Sequence, residues 1–124
     1  MAQILIDTDI LIAVLRGIEP LTRQLEERQR RADRLCFSPV TAAELWQGSR
    51  PAEEGLIQRL LNQMECLPIE EATGRLAGIL LQRYRRSHAV SLPDAMIAAT
   101  AVLHRCSLWT LNRRHYPMPE LSLI

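Results

Sequence analysis

The sequence predicts an α/β protein: a three-layer α/β/α sandwich around a central, mainly parallel sheet of four to five strands. Three observations predict it. Short apolar runs recur along the chain, and stretches with apolar residues at helical spacing separate them. That alternation argues for a parallel sheet with helices on both faces. Acidic and amide residues follow several of the short runs, where an α/β sheet has its ligand crevice. Finally, 124 residues with 48% apolar content suffice for one domain with an ordinary core.

In order, Ile4-Leu5-Ile6 reads as a buried strand ending in Asp7-Thr8-Asp9. A helix over 8–16 follows, closed by Gly17. Pro20 opens a second helix, with Leu21 and Leu25 apolar, that runs out towards Arg34. Residues 35–37 form a second strand bounded by Ser38-Pro39, and 40–46 a third helix that stops near Gly48. Pro51 restarts the chain, with Leu56, Leu60, Leu61 and Met64 at helical spacing. Cys66-Leu67 reads as a very short strand, and 70–86 as a long amphipathic helix. Ser91-Leu92-Pro93-Asp94 opens another helix over 95–103. Residues 107–110 read as a strand ending at Leu111-Asn112, and 121–124 as an edge strand. With no repeats and no linker, residues 1–124 read as a single domain.

Composition excludes several functions. The chain has no lysine, so it is not a P-loop nucleotide hydrolase. Net charge is +1, so no bulk field attracts nucleic acid, although arginine forks suit phosphate. Cys36, Cys66 and Cys106 are scattered, which indicates neither a zinc site nor a disulfide framework. No apolar run approaches the ~18 residues of a membrane span, and nothing resembles a signal peptide, so a cytoplasmic protein is expected.

The crevice candidates are Asp7, Asp9, Glu44, Asp94 and Asn112. Each also has a structural reading. Asp7 can cap its helix, and Thr41–Glu44 and Ser91–Asp94 both fit capping boxes. Magnitudes separate the two readings. Two carboxylates about 5 Å apart at an effective dielectric of about 20 repel by roughly 3 kcal/mol. A cap contributes only about 1 kcal/mol. Converging acids therefore take up a proton or a cation. An all-oxygen donor set suits Mg²⁺ or Mn²⁺, which can lower the pKa of water and stabilise charge on phosphate.

Four segments carry a family resemblance: Leu5-Ile6-Asp7-Thr8-Asp9-Ile10-Leu11, Ser38-Pro39-Val40-Thr41-Ala42-Ala43-Glu44-Leu45, Leu92-Pro93-Asp94-Ala95-Met96-Ile97-Ala98-Ala99 and Leu108-Trp109-Thr110-Leu111-Asn112. In order and spacing, across essentially the whole chain, they resemble the PIN-domain ribonucleases, and within them the VapC toxins of type II toxin–antitoxin systems. The resemblance implies a PIN-like sandwich that cleaves RNA with Mg²⁺ or Mn²⁺. It implies that Asp7, Glu44 and Asp94 are the three catalytic, metal-holding acids and that Asn112 takes the fourth polar position. Thr110 matches a supporting hydroxyl, and Asp9 and Thr8 stand beside the first acid. It further implies a homodimer and a VapB-type antitoxin that enters the site.

Arg83 and Arg86 precede Asp94, and Arg113 and Arg114 follow Asn112, as candidate RNA contacts. Two rival readings remain. One is a catalytically degenerate PIN-fold binding module. The other is a haloacid-dehalogenase-type phosphohydrolase built on Asp7-Thr8-Asp9, which the absence of lysine opposes.

Overall fold

Five strands form one parallel sheet in the order β3-β2-β1-β4-β5. The computed structural model describes residues 2–124. The strands are β1 (Gln3–Ile6), β2 (Arg34–Phe37), β3 (Glu65–Cys66), β4 (Ser107–Trp109) and β5 (Ser122–Leu123). The helices are α1 (Thr8–Leu15), α2 (Glu19–Arg30), α3 (Pro39–Gln47), α4 (Glu54–Asn62), α5 (Glu71–His88) and α6 (Leu92–Leu103). The resemblance to a three-layer sandwich holds, and the C-terminal segment does add the edge strand β5.

Strand alternation divides the core. Leu5, Cys36 and Leu108 face α5 and α6, where Leu80, Ile97 and Ala98 pack against them. Ile4, Ile6, Leu35, Phe37 and Trp109 face the opposite way, onto α1 to α4. Burial on both sides explains why these strands lack polar alternation. A side chain such as Leu5, wholly removed from water, contributes about 2–3 kcal/mol of transfer free energy.

The sheet grows outward from β1 in both directions. β2 and β3 lie on one side of it, β4 and β5 on the other. Strand order therefore reverses at β1, which opens a crevice beyond the carboxyl ends of β1 and β4. Asp7 and Thr110 are the first residues past those ends.

Helix starts follow their sequences with one exception. Asp7 caps α1 by accepting from the Thr8 N–H, and Ser91 and Asp94 exchange backbone and side-chain bonds at the start of α6. Gly17 takes φ +76° after α1, the left-handed conformation in which glycine is least strained. The expected box at Thr41–Glu44 does not form. Ser38 caps α3 instead, and Pro39 fills its first turn. Glu44 thus sits a full turn inside α3 with its carboxylate free of capping duty. Among the described residues, no helix is long and apolar enough to cross a membrane.

Candidate active site

Asp7 is the most buried carboxylate of the crevice, and hydrogen bonds surround it. Its Oδ1 accepts from the Thr8 N–H at 2.8 Å. Its Oδ2 accepts from two hydroxyls, Thr110 at 2.8 Å and Tyr116 at 2.9 Å. Burial nevertheless pushes its pKa up to about 6, helped by the nearby charge of Asp9 and opposed by those three donors. The carboxylate is fixed in place yet costly to ionise.

Tyr116 joins Asp7 to Asp94. Its hydroxyl also lies 3.5 Å from Asp94 Oδ1, so one O–H stands between two carboxylates. Burial and the Asp7 charge push the phenol pKa up, which keeps it a donor. Tyr116 was not among the sequence candidates. The available signal was a phenol beside Pro117, since a buried tyrosine hydroxyl needs a partner.

Glu44 approaches from α3 and is exposed. Its Oε1 lies 2.7 Å from Thr8 Oγ1, which is also 2.9 Å from Thr41 Oγ1. Thr8 has one hydroxyl proton, and the carboxylate is the stronger acceptor. Thr8 thus links two acids, through its N–H to Asp7 and through its O–H to Glu44.

Asp9 has a different task. Its Oδ2 accepts from Leu111 N–H at 3.1 Å and Asn112 N–H at 3.0 Å, with the Thr110 hydroxyl at 3.3 Å. It therefore ties the loop after β4 to the start of α1. Burial raises its pKa and the backbone donors oppose the shift. The Asn112 side chain pairs with His115 Nδ1 at 2.9 Å. That same nitrogen lies 3.3 Å from Asp94 Oδ2. One ring nitrogen either donates to Asp94 or accepts from Asn112, so the three residues share one proton-dependent arrangement.

Asp7, Glu44 and Asp94 thus meet at one crevice, Asp94 through the Tyr116 hydroxyl and Glu44 through Thr8. Among the described residues, no three Asp, Glu, His or Cys side chains form a ready-made metal cluster. The chemistry of the donors still fits a hard divalent cation. All are oxygens, Asp7 resists ionisation without a counter-charge, and the buried Asp9 Oδ1 has no hydrogen-bond partner. Mg²⁺ keeps several waters and needs only one or two protein carboxylates, so a closed cage is not required.

The four candidate RNA contacts separate. Arg83 pairs with Glu120 at 3.7 Å, and Arg113 reaches the Ile124 carbonyl at 3.5 Å. Arg86 and Arg114 line one open cleft together.

Comparison with known proteins agrees with this geometry. The PIN domain family model matches residues 4–121. Ribonuclease VapC10 of Mycobacterium tuberculosis is 43% identical over 119 residues, 95% of this chain and 89% of that protein. Among solved structures, a chain of the DNA-bound VapBC of Salmonella typhimurium superposes with TM-score 0.83 at 21% identity, covering 100% of this chain and 98% of that one. A toxin–antitoxin complex from Klebsiella pneumoniae gives TM-score 0.74 at 27% identity, over 98% and 95% of the two chains.

Proposed function

This chain belongs to the PIN-domain family, and from that premise we propose that it is a VapC-type endoribonuclease, the toxin of a toxin–antitoxin pair, dependent on Mg²⁺ or Mn²⁺. The observation that carries the metal dependence is the Asp7–Tyr116–Asp94 bridge, with Glu44 joined to Asp7 through Thr8, at the switch point of the sheet. Asp7, Asp94 and Glu44 would hold the cation. When bound, it supplies a water of lowered pKa and neutralises charge on the scissile phosphate.

The protein's own contribution is positioning. Thr110 and Tyr116 aim one oxygen of Asp7, and the α1 cap aims the other. The Ser91 N–H holds Asp94 Oδ2 at 3.2 Å, leaving Oδ1 towards Tyr116. Asp9 holds the 111–112 loop against α1, so the Thr110 hydroxyl stays on target. The absence of lysine opposes the phosphohydrolase reading, and Asp9 Oδ2 is occupied by the backbone N–H groups of Leu111 and Asn112.

A VapB-type antitoxin is the partner, and an arginine of that antitoxin would find the crevice carboxylates its strongest bidentate target. Homodimer assembly and a cytoplasmic location complete the reading.

The test is cleavage of RNA by purified protein with Mn²⁺, abolished by EDTA and by Asp94→Asn. Expression of the wild type alone in a bacterial host should arrest growth, and Glu44→Gln should remove the arrest. Folded wild-type protein that neither cleaves nor arrests would favour the degenerate binding module.

A further inference from the structure

We propose that the cleft between the end of α5 and the 113–115 turn is a phosphate subsite that grips the RNA strand on one side of the scissile bond only. The inference rests on the ribonuclease reading above and adds to it where the strand is held. The cleft is open, about 410 Å³, and Arg86, Ser87, His88, Arg114 and His115 line it. No carboxylate lies in its wall. It shares Arg86 and Ser87 with a second open groove along α5, lined by Arg83 and Arg85 as well. At His115 it reaches the active site, because His115 Nδ1 is 3.3 Å from Asp94 Oδ2.

The dipole of α5 accounts for only part of this. Cations are favoured in the last turn of a helix, which covers Arg85, Arg86 and His88. It gives no reason for Arg114, which comes from a separate turn after β4. Among the described residues, neither Arg86 nor Arg114 has an acidic partner within ion-pair distance. Two guanidinium forks that face one cleft and lack carboxylates suit a phosphodiester, which accepts bidentate bonds.

The Glu44 side of the acids has different chemistry. The cavity beside Glu44 is walled by Glu44 and Glu53 with only Arg16 as a cation, and by Ile12, Leu15 and Ile57. A phosphate there would meet two carboxylates. An RNA strand crossing the acids is therefore held on the Asp94 side and left loose on the Glu44 side.

Binding is measured without turnover, in EDTA, by fluorescence anisotropy of a fluorescein-labelled, unstructured twelve-nucleotide RNA. Arg86→Gln and Arg114→Gln should each weaken binding roughly tenfold at low salt, as expected for a charge-assisted bond lost. Each should lower the slope of log K against log salt by about 0.7 per phosphate contact. Arg75→Gln, on α5 but paired with Glu71 outside the cleft, should change neither. Both cleft arginines are exposed, so the variants should fold.

With Mn²⁺ and a cleaved RNA, the cleft variants should raise KM and keep most of kcat. A single methylphosphonate walked along that RNA should cost binding on one side of the scissile bond. Unchanged binding and salt slope in both variants, or no measurable RNA binding by the wild type, would overturn the subsite. So would variants that lose a VapB-type antitoxin while keeping RNA. Equal methylphosphonate costs on both sides would overturn the one-sided grip. If the wild type binds RNA through Arg86 and Arg114 but cleaves none, the subsite is supported and the nuclease reading falls.

Discussion

Asp7 and Glu44 face one crevice and are tied to the same residue, Thr8, yet they differ in almost every physical respect. Asp7 is 6% exposed and accepts from three donors. Glu44 is exposed, carried by the middle of α3, and held by a single hydroxyl. Burial makes the first carboxylate rigid and costly to ionise. The second stands in solvent, with one hydroxyl to hold it. The contrast teaches that the acids of one site can divide the work: a deep one sets the geometry and a shallow one adapts to the ligand.

The largest effect falls on Asp7 in metal-free protein. Its folded pKa of about 6 lies above the unfolded value of 3.8, so the folded state binds the extra proton. Stability should therefore fall as pH rises from about 4 to about 6 and stay low above that range. The cost at neutral pH is on the order of 3 kcal/mol. Asp7→Asn mimics the protonated form, and the Thr110 and Tyr116 hydroxyls can turn to accept from its amide. Urea unfolding in EDTA at pH 7.5 should show the variant more stable than wild type by up to about 3 kcal/mol, with the gain vanishing near pH 4. Millimolar Mn²⁺ should reverse the order, because a ligand of the folded state stabilises wild type by mass action. A variant less stable than wild type at both pH values would break the contrast.

Next in size is Tyr116→Phe, which keeps the buried ring and deletes the O–H between Asp7 and Asp94. A hydrogen bond to a buried charge is lost, so metal-free stability should fall by about 1–2 kcal/mol. Mn²⁺ affinity, read by calorimetry, should weaken by about ten- to a hundredfold, the usual consequence of removing a group that orients a ligand. Unchanged Mn²⁺ affinity would mean that Thr110 and the Thr8 N–H suffice to aim Asp7.

Asp9 should give a smaller response. Asp9→Ala leaves the Leu111 N–H without its acceptor, while the Asn112 N–H keeps Thr110 Oγ1 at 3.0 Å. The same change removes a charge that raises the Asp7 pKa. The two effects oppose, so stability should fall by only about 1 kcal/mol. Amide exchange at Leu111 should speed up more than exchange in β4.

Much of this arrangement was legible in the sequence, because it depends on local pattern. Continuous apolar runs marked the strands, and a polar residue directly after each run marked the crevice. Asp7 was found that way, whereas Thr110 came only from the family resemblance. Asp94 was visible as the last residue of a capping box, a role it fills while its other oxygen faces Tyr116. What escaped depends on partners far apart in the chain. The phenol of Tyr116 meets a carboxylate 109 positions earlier, and Asp9 holds a loop more than 100 positions later. Nothing in the spacing of Thr41 and Glu44 revealed that Ser38 would take the cap. Arg83 and Arg86 look alike in one basic run, and only the fold brings Glu120 to the first and Arg114 beside the second.

The smallest effect on stability is expected at Glu44. Glu44→Gln keeps the shape of the side chain and an oxygen for the Thr8 hydroxyl. The position is exposed and its charge is solvated, so unfolding free energy in EDTA should move by less than about 0.5 kcal/mol. Its circular dichroism should match wild type. Cleavage of RNA with Mn²⁺ should nevertheless fall at least about a hundredfold, beyond the range for removing an orienting group alone. A silent change in the fold with a large loss of activity marks a residue whose charge serves only the bound state, the reverse of Asp7. If Glu44→Gln instead stabilised the metal-free protein as much as Asp7→Asn does, the two acids would repel as one cluster. The division between a deep and a shallow carboxylate would then be wrong.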